Sequence, residues 1–364
     1  MAIYTHIVGT GSVIPEVVVR NEEFLDHQFI DPKTGKPYEK EGQVVTTAEI
    51  VANFYGVSGI RERRYARPDQ DTTDLAYLAA KDALDSSVTD PESLDAIIDA
   101  NNFGNISVKN KRSEMVPSIA ARVKHKLRIE NPKTICYDLV FGCPGWLQGV
   151  IQANYFIKSG DFKRIMVIGS ENLPAVCDPN DRDIHLYSAG AGAVILEGRL
   201  SDKPTGILSY AARSDTYKDA FRLRMEQSYG KDKGAGEFYL HMDGHDLFEY
   251  ALRTVPGVVE ECLLKADLKI LDISKILIHQ ANDKLDEAIV KKLLGLKGKG
   301  IHPPEGLMPM TISWLGNPSV ASIPTLLDLI LKGKMPGHSL NPEDHVVFAS
   351  VGAGMNVNAV SYLF

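Results

Sequence analysis

The stretch 135-ICYDLVFGCPGWLQGVIQANYFIKSG-160 decides how the rest of the chain is read. It opens with an apolar run of strand type, Ile135 to Phe141, and turns through Gly142, Cys143, Pro144 and Gly145. From Trp146 the apolar residues Leu147, Val150, Ile151, Phe156 and Ile157 fall at helical spacing. Pro144 suits the first helical position, where its missing N–H costs nothing. Cys143 therefore stands on a strand-to-helix turn, at the N-terminus of a buried helix. Unpaired N–H groups and the positive end of the helix dipole favour a thiolate there, which is what a nucleophile needs. The plainer reading is a small buried hydrophobe, since free cysteine is among the most buried residue types.

Composition narrows the classes. The chain has 364 residues, which suits two domains or one large duplicated unit. Hydrophobic residues make up 44% and charged ones 24%, as in an ordinary globular protein, and the net charge of -7 offers no basic field for nucleic acid. Cys136, Cys143, Cys177 and Cys262 are scattered without a CxxC pair, which argues against a disulfide framework or a zinc site. The opening MAIYTHIVGTGSVIPE is not built like a signal peptide, and no apolar run approaches a bilayer span. A cytoplasmic protein without metal or membrane span is expected.

Working outward, Tyr4 to Gly9 reads as a strand entering a turn at Gly9 to Gly11. Residues 22–45 read as a polar surface loop. Thr46 or Thr47 caps a segment that ends in GIRERRYA. Thr72 to Leu84 has helical periodicity, Ala96 to Ala100 is a short strand, and Glu114 to Leu127 reads as a helix with Pro117 near its first turn. RIMVIGSE (164–171) is a continuous apolar run of buried-strand type. AGAGAVILEG (189–198) reads as a Gly-rich turn before a strand. The second half repeats this order: a helix from Phe248 to Ala266, a strand from Ile273 to His279, a helix from Asn282 to Leu294, then a turn and helix over 313–331. The close, HVVFASVGAGMNVNAVSYLF, echoes GAGAVIL in the first half. Alternating strands and helices predict α/β layers, and the echo fits two copies of one layer set.

Three residues share a strand-to-helix position: Cys143, His279 in HQAN and Asn317 in GNPSVAS. In open α/β sheets such positions converge on one crevice. A sulfur nucleophile with an imidazole and a carboxamide suits acyl transfer, the last two donating to an oxygen that gains charge. Each has a plainer reading, a structural histidine or the chemistry of a turn.

The motifs GTGSVIPE (9–16), GIRERRYA (59–66), DLVFGCPGW (138–146), IKSGDFKRIMVIGSE (157–171), CDPNDR (177–182), HQAN (279–282), GNPSVAS (316–322) and the terminal VGAGMN occur in order along nearly the whole chain. As a set they make the chain resemble the β-ketoacyl-ACP synthase III group of the thiolase superfamily. The resemblance implies a thiolase-like, duplicated five-layer α-β-α-β-α fold, with one half over 1–200 carrying Cys143 and the other over 201–364 carrying His279 and Asn317. It implies a Cys143-His279-Asn317 triad, and an oxyanion site from the backbone of Cys143 and of the turn Gly352, Ala353 and Gly354. Arg182, Gly244, Phe248, Asn282 and Val116 fall where substrate is bound. It further implies a homodimer, acyl-CoA or acyl-ACP and malonyl-ACP as substrates, acyl carrier protein as partner, and no resident cofactor.

The chain departs from that pattern in places. No Trp precedes GIRER, so either Phe54 or Tyr55 replaces the aromatic that the resemblance sets beside Arg182 against coenzyme A, or the acyl donor is bound to a carrier protein. Val116 stands where the family often has Phe, which points to a primer longer than acetyl. Lys284, Lys291 and Lys292 follow His279 on one helix and could meet an acidic carrier protein. His245 reads as structural or pocket-lining. The expected activity is a decarboxylating Claisen condensation. The alternatives are a secondary-metabolism relative that joins longer acyl or β-ketoacyl units, and a non-catalytic partner subunit of a heterodimer.

Overall fold

In the computed structural model, which describes residues 1–230, 237–298 and 300–364, the two halves build the same sheet twice. In the first, β1 (Ala2–Val13), β2 (Ala96–Asn101), β3 (Ile135–Val140), β4 (Arg164–Asn172) and β5 (Ala189–Ser201) lie in the order β1-β5-β4-β2-β3. β2 pairs in parallel with β3 and β4, while β5 runs antiparallel to β4 and β1. In the second, β6 (Gly206–Ser214), β7 (Lys275–Ile278), β8 (His345–Gly352) and β9 (Asn356–Leu363) lie in the order β6-β9-β8-β7 with the matching directions. Even an irregularity recurs: the register slips between Ile7 and Gly9 on β1 and between Ile207 and Ser209 on β6. Where the first sheet has β3, the second has an irregular stretch whose Leu307 carbonyl accepts from the Ile276 N–H at 2.8 Å.

Strand alternation then fixes the layers. The helices are α1 (Thr47–Ser58), α2 (Thr72–Ser87), α3 (Ile119–Lys126), α4 (Gly145–Ser159), α5 (Gly244–Lys265), α6 (Asp283–Leu293) and α7 (Ser322–Leu331). Ile98, Val167 and Val194 of one sheet and Val346 and Phe348 of the other face inward onto Trp146, Leu147 and Val150 of α4 and Leu326 and Leu327 of α7. Their neighbours Ile97, Met166 and Ile168 face α2 and α3, and Val347 and Ala349 face α5 and α6. The result is five layers, α2/α3, sheet, α4/α7, sheet, α5/α6. α7 occupies the middle because it is apolar nearly all round, and its residues from Ser322 to Ile330 are buried. The charge it carries inward, Asp328, accepts from Thr10 Oγ1 at 2.8 Å, Ser12 Oγ at 2.6 Å and Lys332 at 2.8 Å. Each fully buried Leu, Ile, Val or Phe here contributes about 1.5–3 kcal/mol.

Several sequence expectations change at this level. β1 does not turn at Gly9 to Gly11; it runs on to Val13, because α2 packs flat against it. A Cβ on Gly11 would lie 2.2 Å from the Ala83 nitrogen, so the glycine serves close packing. AGAGA (189–193) is strand as well, since the ladder with β4 continues to Ala189 opposite Asn172. The helix read over 114–127 starts only at Ile119, capped by Ser118, whose side chain accepts from the Ala121 N–H. Glu114 instead pairs with Asn105 through the backbone. The polar stretch 22–45 folds into short ribbons, Ile30–Asp31 with Lys36–Pro37 and Glu39–Lys40 with Gln43–Val44, over buried Phe24 and Phe29. Among the described residues no helix is long and apolar enough to cross a membrane, and no cluster of His, Cys, Asp or Glu could hold a metal ion.

Candidate active site

β3 ends at Val140 and the chain turns through Gly142, at φ +77°, into Cys143. The helix opens one residue later than its sequence suggests: Pro144 is the N-cap and Gly145 the first helical residue. Gly352 closes β8 directly behind the cysteine. A Cβ there would stand 2.5 Å from the Cys143 nitrogen and 2.8 Å from its Cβ, so only glycine lets the 352–354 turn lie against Cys143. On the other side Ser319 Oγ donates to Cys143 Sγ at 3.3 Å.

The environment reverses the expectation of a thiolate at rest. Burial pushes the Cys143 thiol up to about 11, more than the Ser319 hydrogen bond lowers it, and the nearby Glu171 carboxyl adds to the rise. The half-charge of a helix N-terminus acts within one turn and cannot offset a desolvated sulfur. Cys143 rests as a thiol.

His279 follows β7, and its backbone N–H donates to the Ala349 carbonyl at 2.8 Å, which ties it to β8. Its Nδ1 is hydrogen-bonded to Ser322 Oγ at 2.7 Å. Burial lowers its pKa to about 4, so the ring is neutral near pH 7. Asn317 is held by its backbone: its N–H donates to Leu186 O at 2.8 Å and its carbonyl accepts from Ser188 N–H at 3.0 Å. Its Oδ1 accepts from the Ser319 backbone N–H at 2.8 Å. That N–H can only donate, so the Asn317 carboxamide must turn its oxygen to it and is left with its NH2 to offer elsewhere.

Cys143, His279 and Asn317 line one cavity of about 390 Å³. Gly352, Ala353 and Gly354 line it with them, as do Gly244, Phe248 and Asn282. Its remaining wall is mostly apolar: Phe103, Leu186, Tyr187 and Leu247, with Leu223, Met225, Leu240 and Met242 from the ribbon of Leu223–Glu226 and Tyr239–Met242. Asn282 is also the N-cap of α6, its Oδ1 accepting from the Leu285 N–H at 2.8 Å. Such a site can hold a thioester carbonyl between a sulfur nucleophile, backbone N–H groups and two neutral donors, with an apolar chamber beside it.

The other sequence candidates lie elsewhere. Val116 is 87% exposed and lines no part of the cavity. Arg182 is exposed too, with its guanidinium over the Tyr38 ring at 4.9 Å, so neither of the expected aromatics partners it. Phe54 packs on His185 at 5.1 Å, and Tyr55 is exposed beside Arg61 and Trp314. His245 is a surface residue near Glu249 at 3.4 Å, neither structural nor lining. Lys291 is paired with Glu287 and Lys292 with the Leu252 carbonyl, so only Lys284 of the three stands without such a bond among the described residues. Sequence reading assigned nothing to Ser319 and Ser322, although both lie inside GNPSVAS. It also passed over Glu171, whose signal was a lone carboxylate ending a run of buried apolar residues.

Comparisons with known proteins identify the family and the fold. Residues 137–216 match the family model described as 3-oxoacyl-[acyl-carrier-protein (ACP)] synthase III, and residues 263–363 match the model of its C-terminal part. The fold is similar to the 3-oxoacyl-[acyl-carrier-protein] synthase III of Aquifex aeolicus VF5, at 27% identity and a TM-score of 0.79, covering 99% of this chain and 100% of that one. The β-ketoacyl-[acyl carrier protein] synthase III of Thermus thermophilus follows at 27% and 0.78, with 99% of each chain covered. The priming β-ketosynthase of the R1128 polyketide biosynthetic pathway is similar at 26% and 0.78, covering 99% of this chain and 96% of that one. The chain belongs to the 3-oxoacyl-[acyl-carrier-protein] synthase III family of condensing enzymes, with the layered fold of the thiolase superfamily.

Proposed function

We propose that the protein loads an acyl group from a coenzyme A or carrier-protein thioester onto Cys143 and condenses it with a malonyl thioester, releasing carbon dioxide and a β-ketoacyl product. The observation that carries this is the convergence of Cys143, His279 and Asn317 on one cavity. In the first step the sulfur attacks the thioester carbonyl, with the N–H of Cys143 and one from the 352–354 turn facing the oxyanion. The thiol proton leaves with the departing thiolate. In the second step the carboxylate of the malonyl thioester leaves as carbon dioxide, and its bonding pair forms the enolate. A neutral His279 that receives the Ser322 proton at Nδ1 carries its own on Nε2. It then donates with the Asn317 NH2 to the enolate oxygen. The enolate carbon attacks the acyl-Cys143 carbonyl, and the sulfur leaves as a thiolate that takes a proton from solvent to restore the thiol. No cofactor is assigned to these steps.

The reading includes a primer longer than acetyl, now supported by the apolar chamber rather than by Val116. It also includes a homodimer. β3 is an edge strand with Ile135 44% and Val140 56% exposed, and Met115 and Val116 are exposed as well; an apolar, unpaired edge invites a second copy. Acyl carrier protein as partner and a cytoplasmic setting complete it.

The test is to incubate the protein with acyl-CoA and acyl-ACP thioesters of graded length, follow intact mass, and then add malonyl-ACP. Adducts on Cys143 that grow with chain length and yield β-ketoacyl-ACP support the reading. An adduct that persists in Cys143→Ala, or a profile peaking at acetyl, sinks the nucleophile or the primer assignment respectively. Loaded enzyme that condenses with an acyl or β-ketoacyl thioester instead of malonyl would favour the secondary-metabolism alternative.

A further inference from the structure

Glu171 near the end of β4 is buried, yet none of the steps above uses it. One of its carboxylate oxygens accepts from Asn102 Nδ2, and the other accepts from the Asn102 backbone N–H at 3.5 Å. The same Nδ2 reaches Ser319 Oγ at 3.1 Å, and Ser319 Oγ reaches Cys143 Sγ at 3.3 Å. A carboxylate has only acceptors, so Asn102 must turn its NH2 towards it. That NH2 occupies a lone pair of the Ser319 oxygen, and the Ser319 proton is left to point at sulfur.

A proton on Glu171 changes the order. A carboxylic acid donates, and the partner it needs is the Asn102 Oδ1. The amide flips, and the oxygen brought near Ser319 competes with sulfur for the hydroxyl proton. We propose that Glu171 is a positioning residue for Cys143: ionised, it aims the Ser319 hydroxyl at the sulfur, and protonated, it turns that donor away. This rests on the reading of Cys143 as the nucleophile.

Burial pushes the Glu171 carboxyl up to about 8, against the opposing effect of the Asn102 hydrogen bonds. The two arrangements therefore exchange within a range of pH where the protein can be studied. The titratable groups that feel its charge are Asp99 on β2, itself pushed well up by burial, and Cys143. From β5 the facing residue is Gly190, and the 319–321 turn presents only Ser319. Among the described residues no Lys or Arg pairs with Glu171. An ionised Glu171 also repels a thiolate directly, but for Cys143 the Ser319 hydrogen bond is the larger effect.

The experiment is the rate of Cys143 alkylation by iodoacetamide in the intact protein, read by peptide mass from about pH 6 to about pH 9.5. In the unchanged protein the logarithm of the rate should climb with a slope rising to about 1.5 just below about pH 8, because ionising Glu171 adds to ionising the thiol, and settle towards one above it. Glu171→Gln should give a slope of about one throughout and a rate roughly tenfold lower at pH 9. Ser319→Ala should also lose the steep segment, which keeps the test open if Glu171→Gln does not fold. Profiles that superimpose overturn the proposal. So does a steep segment surviving in Ser319→Ala, or a slope below one in the unchanged protein, which would mean that repulsion governs. Alkylation needs no acyl substrate, so a failure here is distinct from a failure of acyl loading.

Discussion

Gly352 and Cys143 are pressed together so closely that a Cβ on the glycine would meet the cysteine nitrogen at 2.5 Å. The contact joins the last turn of the second half to the nucleophile turn of the first. Gly352→Ala must therefore part the two turns and misplace an oxyanion donor. Loss of one such donor costs about 100–1000-fold. Acyl loading by quenched-flow mass should fall by that order, while alkylation by iodoacetamide persists. Loading at an unchanged rate would remove the turn from the oxyanion site.

His279→Ala and Asn317→Ala should separate the two half-reactions. Each removes a donor assigned to the enolate, so malonyl decarboxylation should drop about 100–1000-fold and acyl loading far less. Released carbon dioxide and acyl-enzyme mass read the two steps on the same sample. Equal losses in both steps would contradict the division of labour.

Glu171 also links pH to stability. Its carboxyl is raised above the unfolded value near 4.5, so the native state holds the proton more tightly. That stabilisation is complete below the unfolded value and is lost as pH rises towards about 8. Glu171→Gln, which has no proton to lose, should melt above the unchanged protein at pH 9, by on the order of a few kcal/mol, and the gap should close near pH 5. Thermal unfolding at the two pH values decides it; a gap that widens on acidification is the contrary result.

Asn282 was expected at the substrate and is found capping α6 while lining the cavity. Asn282→Ala should cost about 1 kcal/mol of stability, the usual value of such a cap, whereas Asn282→Asp should keep it. If Asn282→Asp melts like Asn282→Ala, the cap is not what holds the position. A raised KM in the stable Asp variant would report a substrate contact.

The exposed edge of β3 offers a check on assembly. Light scattering should give twice the mass of one chain, and Ile135→Lys combined with Val116→Lys should shift it towards one, since charges on an edge oppose pairing. A single-chain mass for the unchanged protein would set the homodimer aside.

How much of this was readable in the residues depends on how far apart the interacting groups lie. The alternation of strands and helices, the apolar α4 and α7, and the strand-to-helix placing of Cys143 and His279 follow from local periodicity and turn chemistry, which a sequence carries in neighbouring residues, whereas the five-layer order came with the family resemblance. Asn317 was read at a strand-to-helix handover too, but a short helix, Ile312–Leu315, precedes it rather than a strand. Gly11 and AGAGA (189–193) were misread as turns because glycine marks close packing as readily as bending, and only the helix lying above tells the two apart. The thiol state of Cys143 was misjudged for the same kind of reason. A helix end is a local feature, but desolvation comes from residues of both halves that line the cavity around the sulfur. Arg182 kept its motif and Val116 departed from it, and both lie away from the cavity of the single chain. The chain from Glu171 through Asn102 and Ser319 to Cys143 joins four separate segments, so its direction is set by tertiary contact alone.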